Sequence, residues 1–195
     1  MTAQKKYQLL LRYFFRTFNR LFMVPAFRLG LGLFIANPIT GYVMVLKTRG
    51  RRTGKVRYTP LNYALVDGKV YCLRGRHLQG RWYLNIKSEP SVEVILPGGC
   101  HISGVAEDVR DQGIASSALR QILKGSGLGG FVYGFNPHTA DDTIVRKKTE
   151  GISVICITPN GVYGGAGDFG GWFWLIALSF FAIVVLMILR WTKAY

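Results

Sequence analysis

Residues 48–61 read TRGRRTGKVRYTPL. The stretch holds five cations, Arg49, Arg51, Arg52, Lys55 and Arg57, and no acid. On either side, 41–48 and 56–66 are rich in Val, Tyr and Leu and read as strands, so the stretch is a hairpin whose turn must bend sharply among like charges. Gly50 and Gly54 flank Arg51, Arg52 and Thr53. Glycine admits φ > 0 and lets backbone N–H groups approach a ligand. Successive N–H groups in such a turn make an anion-binding concavity. Arginine adds a planar fork matched to phosphate or carboxylate oxygens, and Thr53 adds a hydroxyl. The turn therefore suits a phosphate. It is not a P-loop, because the G-x-x-x-x-G-K-[ST] spacing and the following helix are both missing. A solvated hairpin whose cations serve solubility or lipid headgroups fits the charge equally well.

Outward from the hairpin, 70–75, 91–96 and 100–108 continue the strand pattern, separated by turns such as VDGK and LPGG, and 151–158 reads as a final strand. Segments 81–88 and 111–124 read as short helices. Strands at close spacing with few helices between them predict a mainly β fold of the α+β class, an antiparallel barrel or sandwich. The chain of 195 residues suits one such domain plus an appendage.

The net charge is +15, and it is lopsided. The first 66 residues carry twelve Lys or Arg and no acid. This balance asks for an anionic partner: nucleic acid, a lipid surface or a phosphorylated small molecule. Nucleic acid is set aside, because the basic stretch is interleaved with strand residues and no nucleic-acid motif appears. Cys72, Cys100 and Cys156 lie in strand-like runs, an odd number at no metal-ligand spacing, and read as free thiols. His77, His101 and His138 form no cluster, and no metal site is expected. The G-x-G of LGLGLFIAN at 29–37 lacks a third glycine and a preceding strand, so it does not read as a dinucleotide motif.

Both ends read as lipid-facing. Residues 169–189, FGGWFWLIALSFFAIVVLMIL, carry no charge. As a helix they would be about 31 Å long, close to a bilayer's hydrocarbon thickness. Trp172 and Trp174 stand at one end and Trp191 and Tyr195 at the other, as interfacial aromatics do. Residues 5–23 form an amphipathic pattern, with Lys5, Arg12, Arg16 and Arg20 on one stripe and an aromatic-rich face opposite, ended by Pro25. That pattern fits either an interfacial helix or a helix packed on the sheet. The first residues are too basic and too poor in apolar residues for a secretory signal. The expected organisation is a basic helical segment at 1–38, a barrel domain at 39–159, a Gly-rich linker at 160–168, a transmembrane helix at 169–189 and a short basic tail at 190–195.

In GRWYLNIKSEPSVEV, 80–94, Trp82 and Asn85 fall three apart, on one face of a helix. An aromatic slab and an amide there would frame a planar ring, while a core anchor is the plainer reading of Trp82. Taken in order, GRRTGKVRYTPL, DGKVYCLRG and RWYLNIKSEPSVEV resemble the deazaflavin-dependent nitroreductase and quinone reductase family, over residues 41–159. The resemblance implies a split β-barrel of the flavin-binding type. It also implies coenzyme F420, an 8-hydroxy-5-deazaflavin with a phosphate and an oligoglutamate tail. By position, Arg51, Arg52, Thr53, Gly54, Lys55 and Arg57 would grip the anionic tail, and Pro60 and Leu61 would begin the floor beneath the ring. Gly75, Arg76 and His77 would pass the ring, Trp82 and Asn85 match a Trp-x-x-Asn motif, and Tyr133 is the candidate proton donor near the substrate. The chain departs from the family at Arg76-His77, where Ser-Lys is common, and at Gly80-Arg81, where Pro-Ala is usual and the preceding loop is longer.

The resemblance thus implies an enzyme, a reductase that passes a hydride from reduced deazaflavin to a quinone, nitro or other lipophilic enone-type acceptor. A carrier or reductase on the same barrel using FMN, haem or another tetrapyrrole is the alternative. The two ends predict a single-pass cell-membrane protein whose catalytic domain faces the cytoplasm, with membrane lipid as a partner. A homodimer is left open.

Overall fold

The computed structural model describes Tyr13, residues 17–75 and 81–163, and the backbone of 169–193, with side chains of that last helix over 178–190. Six strands carry the fold: β1 (Val43–Arg49), β2 (Val56–Val66), β3 (Lys69–Arg74), β4 (Ser91–Ile95), β5 (His101–Asp108) and β6 (Ser153–Tyr163). They close a barrel in the order β1-β2-β3-β6-β5-β4 with antiparallel neighbours throughout. Five helices accompany them: α1 (Val24–Arg28), α2 (Arg81–Ser88), α3 (Gln112–Lys124), α4 (Asp142–Lys148) and α5 (Phe169–Lys193). The mainly β barrel with short helices is as expected.

Alternation along the strands sorts the side chains into an inside and an outside. Met44, Leu46, Val70, Cys72, Val92, Val94, Ile102, Ile155 and Ile157 point inward and are joined by Trp82 and Ile86 from α2. Two outer patches need cover. One, around Val43, Val45 and Ile95, is covered by Phe27 of α1. The other, around Tyr71, Val154 and Cys156, lies under α3 and Val145 of α4. Burial pushes the Cys72 thiol up to about 12, so the interior cysteine is an inert hydrophobe.

Local chemistry explains most boundaries. The DG of VDGK takes positive φ at Asp67 (49°) and Gly68 (73°), the pair of left-handed residues that a tight hairpin requires. Asp111 caps α3 by accepting from the Ile114 N–H at 2.9 Å. Three boundaries differ from expectation. Pro25 does not end the N-terminal helix. A π-turn over Asn19–Met23 precedes α1, with the Val24 N–H donating to the Asn19 carbonyl, and it widens the helix where the proline ring would meet a carbonyl. Residues 1–12 and 14–16 of the expected amphipathic helix lie outside the described residues. The last strand does not stop at 158. It runs through Pro159 to Tyr163 because β5 offers partners as far as His101, with a bulge opposite Ser103 and Gly104 taking up the proline. The first residues of the expected linker therefore belong to the sheet. At the C-terminus a 25-residue helix forms, α5. Among the described residues no helix is long and apolar enough to cross a membrane; the expected span, 169–189, lies in part outside them.

On the outer face of the sheet Glu93 accepts from Lys47 (2.8 Å) and meets His101 Nδ1 (2.5 Å). Burial pushes the Glu93 carboxyl up, but the hydrogen bonds from Lys47 and His101 outweigh it and hold it below the usual range. A depressed carboxylate stabilises the fold above its unfolded pKa of about 4.3, and that contribution is lost as pH falls through the folded value. We expect Glu93→Gln to cost of order 1–2 kcal/mol near neutral pH and to flatten the acid limb of Tm against pH. Parallel acid limbs for both proteins would refute this role.

Candidate functional site

The basic turn is built from the inside out. Gly50 donates to the Lys55 carbonyl (2.9 Å), and the Thr53 and Gly54 N–H groups fold back on the Gly50 carbonyl (3.1 and 2.7 Å). A Cβ on Gly50 would sit 3.1 Å from the Lys55 oxygen and 3.2 Å from Thr53 Oγ1, so a larger residue there would crowd the closed turn. Gly54 takes φ 63° with open space beside it. The Thr53 hydroxyl accepts from the Lys55 N–H at 3.4 Å.

The turn is braced from across the fold. The Arg51 N–H donates to Asn85 Oδ1 at 3.2 Å, and Asn85 Nδ2 donates to Thr48 Oγ1 at 3.4 Å. Asn85 and Thr48 are both buried. A buried amide spent this way fixes α2 against the hairpin. Thr48 is the residue that the sequence does not single out: a threonine in a strand looks ordinary, and its partner is 37 positions away. With the backbone held, the side chains of Arg51, Arg52, Lys55 and Arg57 all point to solvent. Among the described residues none of these four is paired with a carboxylate; the nearby pair is Arg49 with Glu89 at 3.9 Å. The result is a rigid bend with concentrated, unneutralised positive charge.

Beside it the barrel is split. β2 pairs with β1 along 56–62, but its register with β3 runs only from Tyr63↔Cys72 to Val66↔Lys69. Among the described residues the first half of β2 therefore has a strand partner on one edge only. Pro60, which has no N–H to donate, sits there without cost to a second ladder. Leu61 packs against the interior cluster. β3 ends at Arg74 and Gly75 leads away from it; Arg76 and His77 lie outside the described residues. Arg51, Arg52, Thr53, Gly54, Lys55 and Arg57 thus lie on or beside one turn held by Asn85, and Pro60 and Leu61 follow further along β2, opposite Val45 and Met44.

Two expected residues are placed differently from the rest. Trp82 is 7% exposed and serves the barrel core, edge-on to Tyr83 at 6.2 Å. Tyr133 packs in the outer cluster beside α3, with Phe135, rather than with Trp82 and Asn85. Burial raises its phenol, which stays protonated at neutral pH. A cleft of ≈ 650 Å³ opens on the other flank of α2, lined by Lys69, Tyr71, Ile86, Lys87, Glu107 and Arg110 among others. None of the basic turn lines it. Its wall carries a local network in which Tyr83 Oη and Lys87 Nζ both donate to Asp108. Arg74 lies 3.9 Å over the Tyr83 ring. Among the described residues no group of His, Cys, Asp and Glu is arranged for a metal.

A family model described as F420H(2)-dependent quinone reductase matches residues 28–125. No curated protein matches the chain. Solved structures similar to it include a conserved hypothetical protein from Mycobacterium tuberculosis (15% identity, 66% of this chain and 86% of that one, TM-score 0.49). Another is the heme storage protein HutZ from Vibrio cholerae (13%, 63% and 84%, 0.45). A third is an F420-H2 dependent reductase, FDR-A (22%, 59% and 92%, 0.39).

Proposed function

The chain belongs to the F420H(2)-dependent quinone reductase family, and on that premise we propose that it is held at the cell membrane and reduces a lipophilic quinone there. It is an F420-dependent reductase, and its cofactor is coenzyme F420. When bound, that cofactor supplies the hydride; the chain's own residues bind, orient and exclude water.

The residues fit the group. Its tail is anionic, and the turn offers four outward cations free of carboxylates on a backbone that Asn85 holds still. Preorganised charge of this kind costs little to bring to the ligand. Arg51, Arg52, Lys55 and Arg57 would hold the tail, with Thr53 and the Gly54 backbone beside it. The open edge of β2 at Pro60 and Leu61 gives a flat ring an apolar floor against the barrel. Trp82 supports that floor from within, and Asn85 keeps the turn at its height. Gly75, Arg76 and His77 are assigned to the far wall on the family pattern alone. Tyr133 is the candidate proton donor on that same pattern alone, since it packs in the outer cluster beside α3 and not with Trp82 and Asn85.

The lipophilic acceptor and the membrane follow from the C-terminus. Over 178–190, α5 exposes Leu178, Phe180, Phe181, Leu186 and Met187, and between Ser179 and Arg190 every residue is apolar. A helix apolar on every side belongs in lipid or in a core, and among the described residues its side chains over 180–189 are exposed, Val184 apart. A barrel that uses a soluble cofactor faces the cytoplasm, with α5 as the single pass. The single observation that carries the reading is the braced, unpaired cationic turn beside the split in the barrel.

The test is turnover by the full chain in lipid vesicles with reduced F420, followed by the return of the oxidised cofactor's visible absorbance. Menaquinone analogues dissolved in the vesicles are expected to support it, and riboflavin phosphate is expected neither to replace F420 nor to compete with it. Turnover confined to water-soluble acceptors would remove the membrane quinone from the proposal.

A further inference from the structure

Two of the chain's uncharged stretches, 29–42 ahead of β1 and 125–140, carry no Asp, Glu, Lys or Arg. The fold brings them together. The Leu128 N–H donates to the Ile39 carbonyl (2.9 Å) and the Tyr42 N–H to the Gly125 carbonyl (2.7 Å). Gly41 and Gly127, both at positive φ, allow this contact. A Cβ on either would strike the opposite segment's backbone, Ser126 or Ile39.

What the paired turns display is apolar. Phe34 and Val132 are each 83% exposed, Leu128 is 70% exposed, and Leu33, Ile39 and Phe131 stand out beside them. Phe34 and Val132 lie on short 3₁₀ turns, over Leu31–Phe34 and Gly127–Tyr133. Large apolar side chains left to water in a cluster mark an interaction surface.

Charge decides the occupant. Lys124 stands just before one turn, and Arg146, Lys147 and Lys148 are exposed in the last turn of α4, outnumbering the exposed Asp141 and Glu150 beside them, while Asp142 is paired with Arg120. A Cβ on Gly134, at the end of that turn, would come within 3.9 Å of Lys148 Nζ. Apolar tips with a basic rim suit the headgroup–acyl boundary of an anionic bilayer. The patch is also continuous with the anchor, because Leu31–Phe34 follows α1 directly and α1 lies against α5.

We propose that the paired turns at 31–40 and 127–134 are a second, interfacial membrane contact that seats one side of the barrel on an anionic lipid surface. The proposal rests on the membrane reading above and deepens it by fixing which side of the barrel meets the lipid. A barrel tethered by α5 alone would tumble above the surface; one seated here has a fixed tilt.

The test uses the full chain with Cys100→Ser, since Cys72 and Cys156 are buried. An environment-sensitive fluorophore is placed at Val132→Cys, and at Ser117→Cys on the exposed face of α3 as a control. Vesicles are phosphatidylcholine with or without phosphatidylglycerol. The expected result is a blue shift, a severalfold rise in emission and loss of iodide quenching at 132, strongest with phosphatidylglycerol, and no change at 117. A chain that floats with the vesicles while the 132 probe stays wet keeps the anchor and overturns the seat. A chain that does not float overturns both. A blue shift that appears without vesicles and grows with protein concentration overturns the lipid assignment in favour of a second copy.

Discussion

Arg52→Ala combined with Lys55→Ala is expected to weaken F420 binding by about a hundredfold while leaving the unfolding temperature unchanged. A charge-assisted hydrogen bond contributes about 1.5–3 kcal/mol when formed in a protected site, and each tenfold in affinity is about 1.4 kcal/mol. Both side chains are exposed in the free protein, so solvent takes part of that, and about 3 kcal/mol for the pair is what remains. Stability should not fall, because neither side chain is paired with a carboxylate among the described residues. Removing two like charges from so cationic a turn relieves repulsion instead. Titration of the cofactor against intrinsic tryptophan emission gives the affinity, and thermal denaturation gives the stability. Salt supplies a second signature: wild-type affinity should drop as ionic strength rises, and the double variant should respond less. A variant that binds within about threefold of wild type would remove the turn from the cofactor site.

The turn itself was readable because its chemistry is local. Gly50, Gly54 and the cations between them lie within a few positions, and glycine and charge keep their meaning in any context. The DG hairpin and the Asp111 cap are local in the same way. The strand order was not readable, because β6 enters the barrel between β3 and β5 and closes pairings across as many as 87 residues, as at Val70↔Ile157. The split beside Pro60 is a missing set of partners, and a strand's own residues do not say who fails to pair with them. Pro60 was the one hint, since a proline in mid-strand asks for an open edge. Trp82 illustrates the converse limit. Its spacing from Asn85 is that of a shared helix face, yet three-residue spacing serves a core as well as a ligand, and the barrel interior claims the indole. Pro25 misled because a single-residue rule ignores what the preceding turn can absorb.

Asn85→Ala should loosen the turn before it loosens the fold, and Thr48→Val should do the same by a different route. The alanine removes the acceptor for the Arg51 N–H and the donor to the Thr48 hydroxyl together. The valine keeps the shape of Thr48 but leaves the Asn85 amide one partner short in a buried place. Each change is expected to cost about 1–3 kcal/mol of stability, the usual cost of stranding a buried polar group. Cofactor affinity should fall roughly tenfold, because the cations remain but no longer share one fixed bend, and ordering them again is charged to binding. Two readouts separate bracing from mere destabilisation. Amide exchange at Arg51 should quicken more than exchange at the β5 and β6 core amides. The double variant should cost less than the sum of the singles, since both act on one chain of hydrogen bonds. Asn85 is then a positioning residue whose effect on the cofactor passes through the hairpin. If both variants lose stability while F420 affinity and Arg51 exchange stay at wild-type values, the brace belongs to the fold alone, and the bend holds its shape through Gly50 and Gly54.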